Sequence, residues 1–320
     1  MEGSYRVLTM PSAAKMFAIM EKIIPDLILL DIEMPEMDGF AALKKMMQNE
    51  RIARIPIIFL TAQTDAAIEA KGFEMGAVDF ITKPFSKPVL LNRIASHLHI
   101  ADLIIKRTKR IERLQNGIIS VLVDVVEGRD KVTGGHIERT TSYVKMLLTE
   151  AMSKGLYADE IRFWDLNLVV SSARLHDVGK ITISDLILNK PSELSAEEFA
   201  IIKTHAKEGE NIIDKIIEQT GEDVFLSHAK LFAGYHHERW DGLGYPYGLK
   251  GEDIPLQGRI MAVADVYDAL TSERPYKKAF THEDSMKILM ENAGKQFDPK
   301  IAEVFYGIRD KFKAVSSCGR

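Results

Sequence analysis

Uninterrupted apolar runs punctuate the first quarter of the chain, and a longer periodicity replaces them afterwards. Leu27-Ile28-Leu29-Leu30 follows Asp26, and Ile55 to Leu60 contains no polar residue. A shorter segment, Val78 to Ile81, leads into Thr82-Lys83-Pro84. Strands whose apolar residues do not alternate are buried on both faces, as in a parallel sheet covered by helices. Helical patterns at Phe40–Gln48 and Ala66–Met75 supply the crossovers between them. Residues 1–88 therefore read as an α/β domain.

Residues 89–126 read as one long helix. With Leu90 at position d, the a/d series runs Leu90, Ile94, His97, Ala101, Ile104, Thr108, Ile111, Gln115, Ile118, Leu122, Val125. Lys106, Arg107, Lys109, Arg110, Glu112 and Arg113 flank it. This pattern fits a parallel coiled-coil connector in a homodimer, and an amphipathic helix packed on its own domain is the alternative. Residues 127–320 read as an all-α bundle. Phe163–Leu175, Ala196–Ile217, Ile260–Leu270 and His282–Ala293 have helical periodicity, separated by Gly- and Pro-rich loops.

A length of 320 residues suits two domains and a connector. A net charge of −4 argues against a DNA binder with a broad basic surface, yet leaves room for a local site for a small anion. Cys318 is the only cysteine, so no internal disulfide can form, which fits a reducing cytoplasm. There is no membrane-spanning apolar run, and Met1–Met10 lacks a signal-peptide pattern.

Chemistry gathers first at the strand ends. Asp31, Thr61 and Lys83 close three apolar segments, where reaction sites of open α/β sheets lie. A carboxylate, a hydroxyl and an ammonium there can converge on one phosphoryl group. Leu29-Leu30-Asp31-Ile32-Glu33-Met34-Pro35-Glu36-Met37-Asp38-Gly39, with Leu60-Thr61-Ala62 and Lys83-Pro84, resembles the receiver domain of response regulators. The resemblance implies a flavodoxin-like fold, Asp31 as phosphoacceptor for a cognate histidine kinase, Thr61 and Lys83 as phosphate partners, and Phe80 as an aromatic switch. Met1-Glu2-Gly3-Ser4-Tyr5-Arg6-Val7-Leu8 resembles the family's second strand. The first strand, with its Mg²⁺-binding acidic pair, and the first helix are missing; a truncated or misassigned start is the favoured explanation, beside a strand borrowed from a partner and a degenerate receiver. Phosphorylation of Asp31 is thus an open expectation.

The second half carries His136, His176, His205 and His236 at separations of 40, 29 and 31 residues, with His237 beside the last. Separate helices supplying one ligand each is how a bundle builds a metal site in its core. Asp265 follows the apolar stretch Ile260–Ala264 and would be buried without a partner unless it meets a cation or a hydrogen bond. Imidazole with carboxylate suits Mn, Fe, Co, Ni or Zn. His97, His99, His228 and His282 read as capping or surface residues.

His176-Asp177-Val178-Gly179-Lys180 resembles the HD phosphohydrolase signature. His236-His237-Glu238-Arg239-Trp240-Asp241-Gly242-Leu243-Gly244-Tyr245-Pro246 is similar to the HD-GYP motif at every fixed position. The likeness covers roughly residues 118–312. It implies a cyclic di-GMP phosphodiesterase yielding linear pGpG at a centre of two divalent metal ions. His136, His176, Asp177 and Asp265 would hold one ion, and Asp177, His205, His236 and His237 the other. Lys180 would hold a phosphate oxygen or assist the leaving group, and Arg274 and Lys277 the second phosphate. Asp268, one turn after Asp265, is expected to face the same pocket. Val132 stands where many members carry a Glu that helps hold a third metal, so two metals are expected. Cyclic GMP-AMP as substrate, a catalytically silent nucleotide sensor, and a phosphorylation-driven dimer scaffold are the competing readings.

Overall fold

The computed structural model describes residues 5–49, 51–62, 66–129, 135–273 and 278–318. It divides into two compact units, Met1–Leu114 and Gln115–Arg320.

In the first unit, α1 (Ala13–Met20), β1 (Ile28–Asp31), α2 (Gly39–Met47), β2 (Ile57–Thr61), α3 (Ala66–Glu74) and β3 (Asp79–Thr82) alternate, and α4 (Lys87–Arg129) begins. The strands form a parallel sheet in the order β1-β2-β3, pairing Leu30 with Phe59 and Phe59 with Phe80. Leu30, Ile57, Phe59 and Phe80 pack on one side with Ala13, Met20, Leu43 and Met46. Ile58 and Ile81 pack on the other with Leu90 and Ile94 of α4. Apolar cover on both faces is why these strands do not alternate.

Of Met1–Leu8, expected as a strand, the first four residues lie outside the described residues, and Tyr5–Leu8 forms no strand. In the receiver strand order, 2-1-3-4-5, the second strand pairs only with the first. Without that partner these backbone groups have no ladder to join, and Val7 and Leu8 are 51% and 45% exposed. Among the described residues β1 has no neighbour on its outer edge.

Helix α4 runs for 43 residues. Most of its a/d series is uncovered, with Ile104, Ile111 and Ile118 at 59%, 56% and 61% exposure. Its last turns belong to the second unit by a different stripe: Ile119 and Val123 pack with Ile137, Leu175, Val178 and Ala233.

The second unit continues with α5 (His136–Ser153), α6 (Ala158–Ile161) and α7 (Leu166–Ser172). Asp165 caps α7 by accepting the N–H groups of Asn167 and Leu168, so Phe163 stays outside the helix. Two short 3₁₀ segments, Ala173–Leu175 and Val178–Thr182, flank His176 and Asp177. Next come α8 (Asp185–Leu188), α9 (Ala196–Thr220), α10 (Val224–Tyr235), α11 (Leu256–Thr271), α12 (His282–Glu291), α13 (Pro299–Gly307) and α14 (Arg309–Cys318). A capping box of Ser195 and Glu198 starts α9. Helix α11 is buried on nearly every side, and Tyr143, Tyr267, Phe305 and Phe312 form the aromatic centre of the core around it. None of the described helices is long and apolar enough to cross a membrane.

Candidate metal centre

Four pieces of backbone bring the histidines together. His136 opens α5, His176 and Asp177 sit between the 3₁₀ segments, and His205 lies within α9. His236 ends α10, with His237 directly after it. Gly179 permits the close approach of the second 3₁₀ segment to α9, since a Cβ there would stand 1.9 Å from the His205 carbonyl oxygen.

The imidazoles are pinned from behind. His176 Nδ1 is 3.0 Å from the Ala173 carbonyl, His205 Nδ1 is 2.6 Å from that of Ile202, and His236 Nδ1 is 3.0 Å from those of Phe232 and Ala233. A carbonyl only accepts, so Nδ1 carries the proton and Nε2 presents a lone pair. These Nε2 atoms crowd together: His205 and His236 stand 3.3 Å apart, and His136 and His176 3.4 Å apart. Facing lone pairs at that distance repel unless a proton or a cation lies between them.

The donors fall into two groups of ligand atoms, His136 with His176 and Asp177, and His205 with His236 and His237. Asp177 stands between the groups. Its Oδ2 is 3.5 Å from His176 Nε2, and its Oδ1 is 3.4 Å from His205 Nε2 and 3.8 Å from His236 Nε2. Asp265 Oδ1 is 3.5 Å from His136 Nε2 on the other side. Converging nitrogen and oxygen donors, buried and pinned in the acceptor form, fit divalent transition metals.

Electrostatics agree. Burial, with neighbouring His136 and Lys180, pushes His176 down to about 4. Burial and the adjacent imidazoles push His236 down to about 3, and His237 well below the ordinary histidine value. Burial alone would raise the Asp177 carboxyl, but Lys180 and the surrounding rings bring it well below the usual range. Lys180 Nζ lies 2.8 Å from Asp177 Oδ2, so its ammonium already borders the metal site.

Asp268 departs from the expectation. It is 1% exposed and lies behind His136 rather than in an open pocket. Its oxygens take His136 Nδ1 at 2.8 Å and Arg139 Nε and Nη2 at 2.6 and 2.9 Å. Both oxygens are thus engaged by side chains, an arrangement suited to orienting the His136 ring. Burial pulls His136 down, yet the bond to Asp268 leaves it above the ordinary histidine value. Arg139, absent from the sequence reading, is signalled only by its place one turn after His136. His228 is another correction, being buried against Trp164 and bonded to Gln257 at 2.8 Å. Arg274, Lys277 and Val132 lie outside the described residues.

Glu238, in the motif but given no role from sequence, fixes the following loop. It accepts N–H groups from Tyr247, Gly248 and Leu249 at 2.7, 3.2 and 2.9 Å. The loop lays Tyr245 against His237, ring centroids 4.7 Å apart.

In the first unit, Lys83 and Asp31 form an ion pair at the ends of β3 and β1, and Thr61 is buried at the end of β2. Phe80 is 7% exposed, between Phe59 and Phe73.

A helical bundle with a buried histidine and aspartate centre, preceded by an α/β unit with a strand-end Asp–Lys pair, defines a metal-dependent hydrolase fold joined to a signalling domain. Family models match accordingly: the HD domain over residues 133–301 and the response regulator receiver domain over residues 1–95. The chain belongs to the HD-domain family and joins that domain to a response regulator receiver domain. It is 37% identical over 316 residues to a Vibrio cholerae serotype O1 protein named "Probable cyclic di-GMP phosphodiesterase", covering 94% of this chain and 72% of that one. It is 34% identical over 309 residues to the cyclic di-GMP phosphodiesterase response regulator RpfG of Xanthomonas campestris pv. campestris, covering 92% and 78%. With a 3'3'-cGAMP-specific phosphodiesterase 2 of Vibrio cholerae serotype O1 it shares 39% identity over 194 residues, covering 61% and 35%.

Proposed function

We propose that this chain hydrolyses a 3'-5' phosphodiester bond of cyclic di-GMP to give linear pGpG, under control of its receiver domain. The observation that carries this reading is Asp177 turning one oxygen toward each of two buried imidazole groups. His136, His176, Asp177 and Asp265 would hold one divalent transition-metal ion, and Asp177, His205, His236 and His237 a second; Fe, Mn, Co, Ni and Zn all suit these donors. Bound there, the pair of ions supplies Lewis acidity toward the phosphodiester and a water-derived nucleophile near neutral pH. Lys180 steadies Asp177 and is placed to donate to a phosphate oxygen or to the departing ribose oxygen. Arg274 and Lys277 are assigned the distal phosphate from the sequence resemblance.

Asp31 is the proposed phosphoacceptor for a partner histidine kinase, with Thr61 and Lys83 as phosphate partners and Phe80 as the switch. The exposed a/d stripe of α4 is the proposed seam of a homodimer, since Ile104, Ile111 and Ile118 are more than half exposed in the single chain. The 3'3'-cGAMP-specific relative favours cyclic GMP-AMP as a second substrate to be tested. A silent sensor is the weaker reading, because the ligand set is complete. Incubating the metal-loaded chain with each dinucleotide and separating the products by chromatography tests the proposal. Linear pGpG from cyclic di-GMP is expected, and an unchanged substrate peak would refute it.

A further inference from the structure

The end of helix α4 touches the metal centre's supports on two sides. Helix α5 starts with the ligand His136, and its N-cap, Gly135, has no side chain to meet the first-turn N–H groups. Glu127, near the end of α4 and within the second unit, supplies that acceptor: its Oε1 takes the Ile137 N–H at 2.9 Å. Two residues on, Arg129 reaches the segment that follows Asp177. Its Nη1 and Nη2 donate to the carbonyls of Ile181 and Ile183 at 2.6 and 2.7 Å, and its Nε to Asp185 at 2.9 Å. Asn189 in turn donates to the Arg129 carbonyl at 2.7 Å. Ile181 lies in the 3₁₀ segment Val178–Thr182 that follows Asp177 and contains Lys180.

We infer that Glu127 and Arg129 are positioning residues of the metal centre. Glu127 fixes the first turn of α5 and therefore His136. Arg129 fixes the segment that follows Asp177 and carries Lys180. The connector helix thus ends as part of the ligand scaffold, so a shift of its last turn reaches ligands from both sides. This inference rests on the metal-centre reading above. A single carboxylate at a helix start could simply stabilise the fold, but the fork of Arg129 on two carbonyls beyond Asp177 is an independent contact aimed at the same centre.

The test separates reach from charge. Glu127→Gln keeps the length and an acceptor oxygen, whereas Glu127→Asp keeps the charge and falls one methylene short of Ile137. Mn²⁺ binding to the full chain, measured by calorimetry after chelation and dialysis, requires no substrate. Glu127→Asp is expected to bind Mn²⁺ about tenfold more weakly than wild type, and Glu127→Gln within about threefold of it. Arg129→Lys, which cannot fork to two carbonyls, is expected to lose about tenfold in Mn²⁺ affinity, and in kcat with little change in KM. Asp124→Asn, exposed on the same helix, should match wild type.

Wild-type Mn²⁺ affinity in both Glu127→Asp and Arg129→Lys, or weaker binding by Glu127→Gln than by Glu127→Asp, would overturn the inference. If Glu127→Asp does not fold, Arg129→Lys decides: wild-type affinity overturns it and the tenfold loss supports it. A chain that binds Mn²⁺ in this pattern yet cleaves no cyclic dinucleotide would sink the proposed activity and leave the positioning roles standing.

Discussion

Replacing Asp268 by Asn probes the support behind His136 with almost no change in shape. The carboxylate receives His136 Nδ1 and two nitrogens of Arg139, and Ser272 Oγ lies 3.4 Å away. An amide has one acceptor oxygen. Whichever way it turns, its NH₂ faces a donor, Arg139 Nε in one orientation or His136 Nδ1 with Arg139 Nη2 in the other. Breaking a buried ion pair from one side costs about 3–5 kcal/mol. The lower end applies here because the Arg139 side chain is 16% exposed and can recover some hydration. About 3 kcal/mol corresponds to a fall of roughly 6–12 °C in melting midpoint for a unit of this size. With His136 no longer held, metal affinity should also fall about 10- to 100-fold. Differential scanning calorimetry of the metal-free protein and a Mn²⁺ titration measure the two effects. A midpoint within about 2 °C of wild type together with unchanged Mn²⁺ affinity would refute the role assigned to Asp268.

Other outcomes follow from the same geometry. Asp177→Ala removes the carboxylate between the two groups, and turnover should drop at least about a thousandfold, with metal content reduced in the same sample by elemental analysis. Metal binding should release a proton from His136, whose value is raised, and none from His176 or His236, already neutral at about 4 and 3. Raising the pH removes that competing proton, so affinity should climb with pH and level off above the His136 value; calorimetry in buffers of different ionisation heat detects it. Gly179→Ala would drive a methyl into the His205 carbonyl and should weaken metal binding and lower the melting midpoint together. Ile111→Lys should split the proposed dimer without altering metal content, read by light scattering.

Much of the candidate centre is legible in the sequence, because its candidate donors sit in short motifs whose spacing survives translation into helices. What lies behind them is not. The use of Asp268 is set by Arg139, which is distant in sequence, and a periodicity argument places Asp268 on a helix face without fixing its depth. The pinned Nδ1 atoms depend on backbone carbonyls three or four residues earlier in the chain, which no residue letter encodes. His228 reads as a surface histidine because its partners, Trp164 and Gln257, come from the turn before α7 and from α11. The failed strand at Tyr5–Leu8 has the same origin: strand propensity is local, but a ladder needs a neighbour. The sheet itself is readable, since strands covered on both faces leave short continuous apolar runs bounded by polar residues.

The central claim is that the buried imidazoles and the carboxylate between them form a hydrolytic two-metal centre. The most direct measurement follows cyclic di-GMP hydrolysis by the purified full chain, chelated and then reloaded with Mn²⁺, beside Asp177→Ala treated identically. The account predicts linear pGpG from the reloaded wild type, none after chelation, and none from the variant. Equal product from wild type and variant, or no cleavage by a wild-type chain shown to hold its metals, would contradict it.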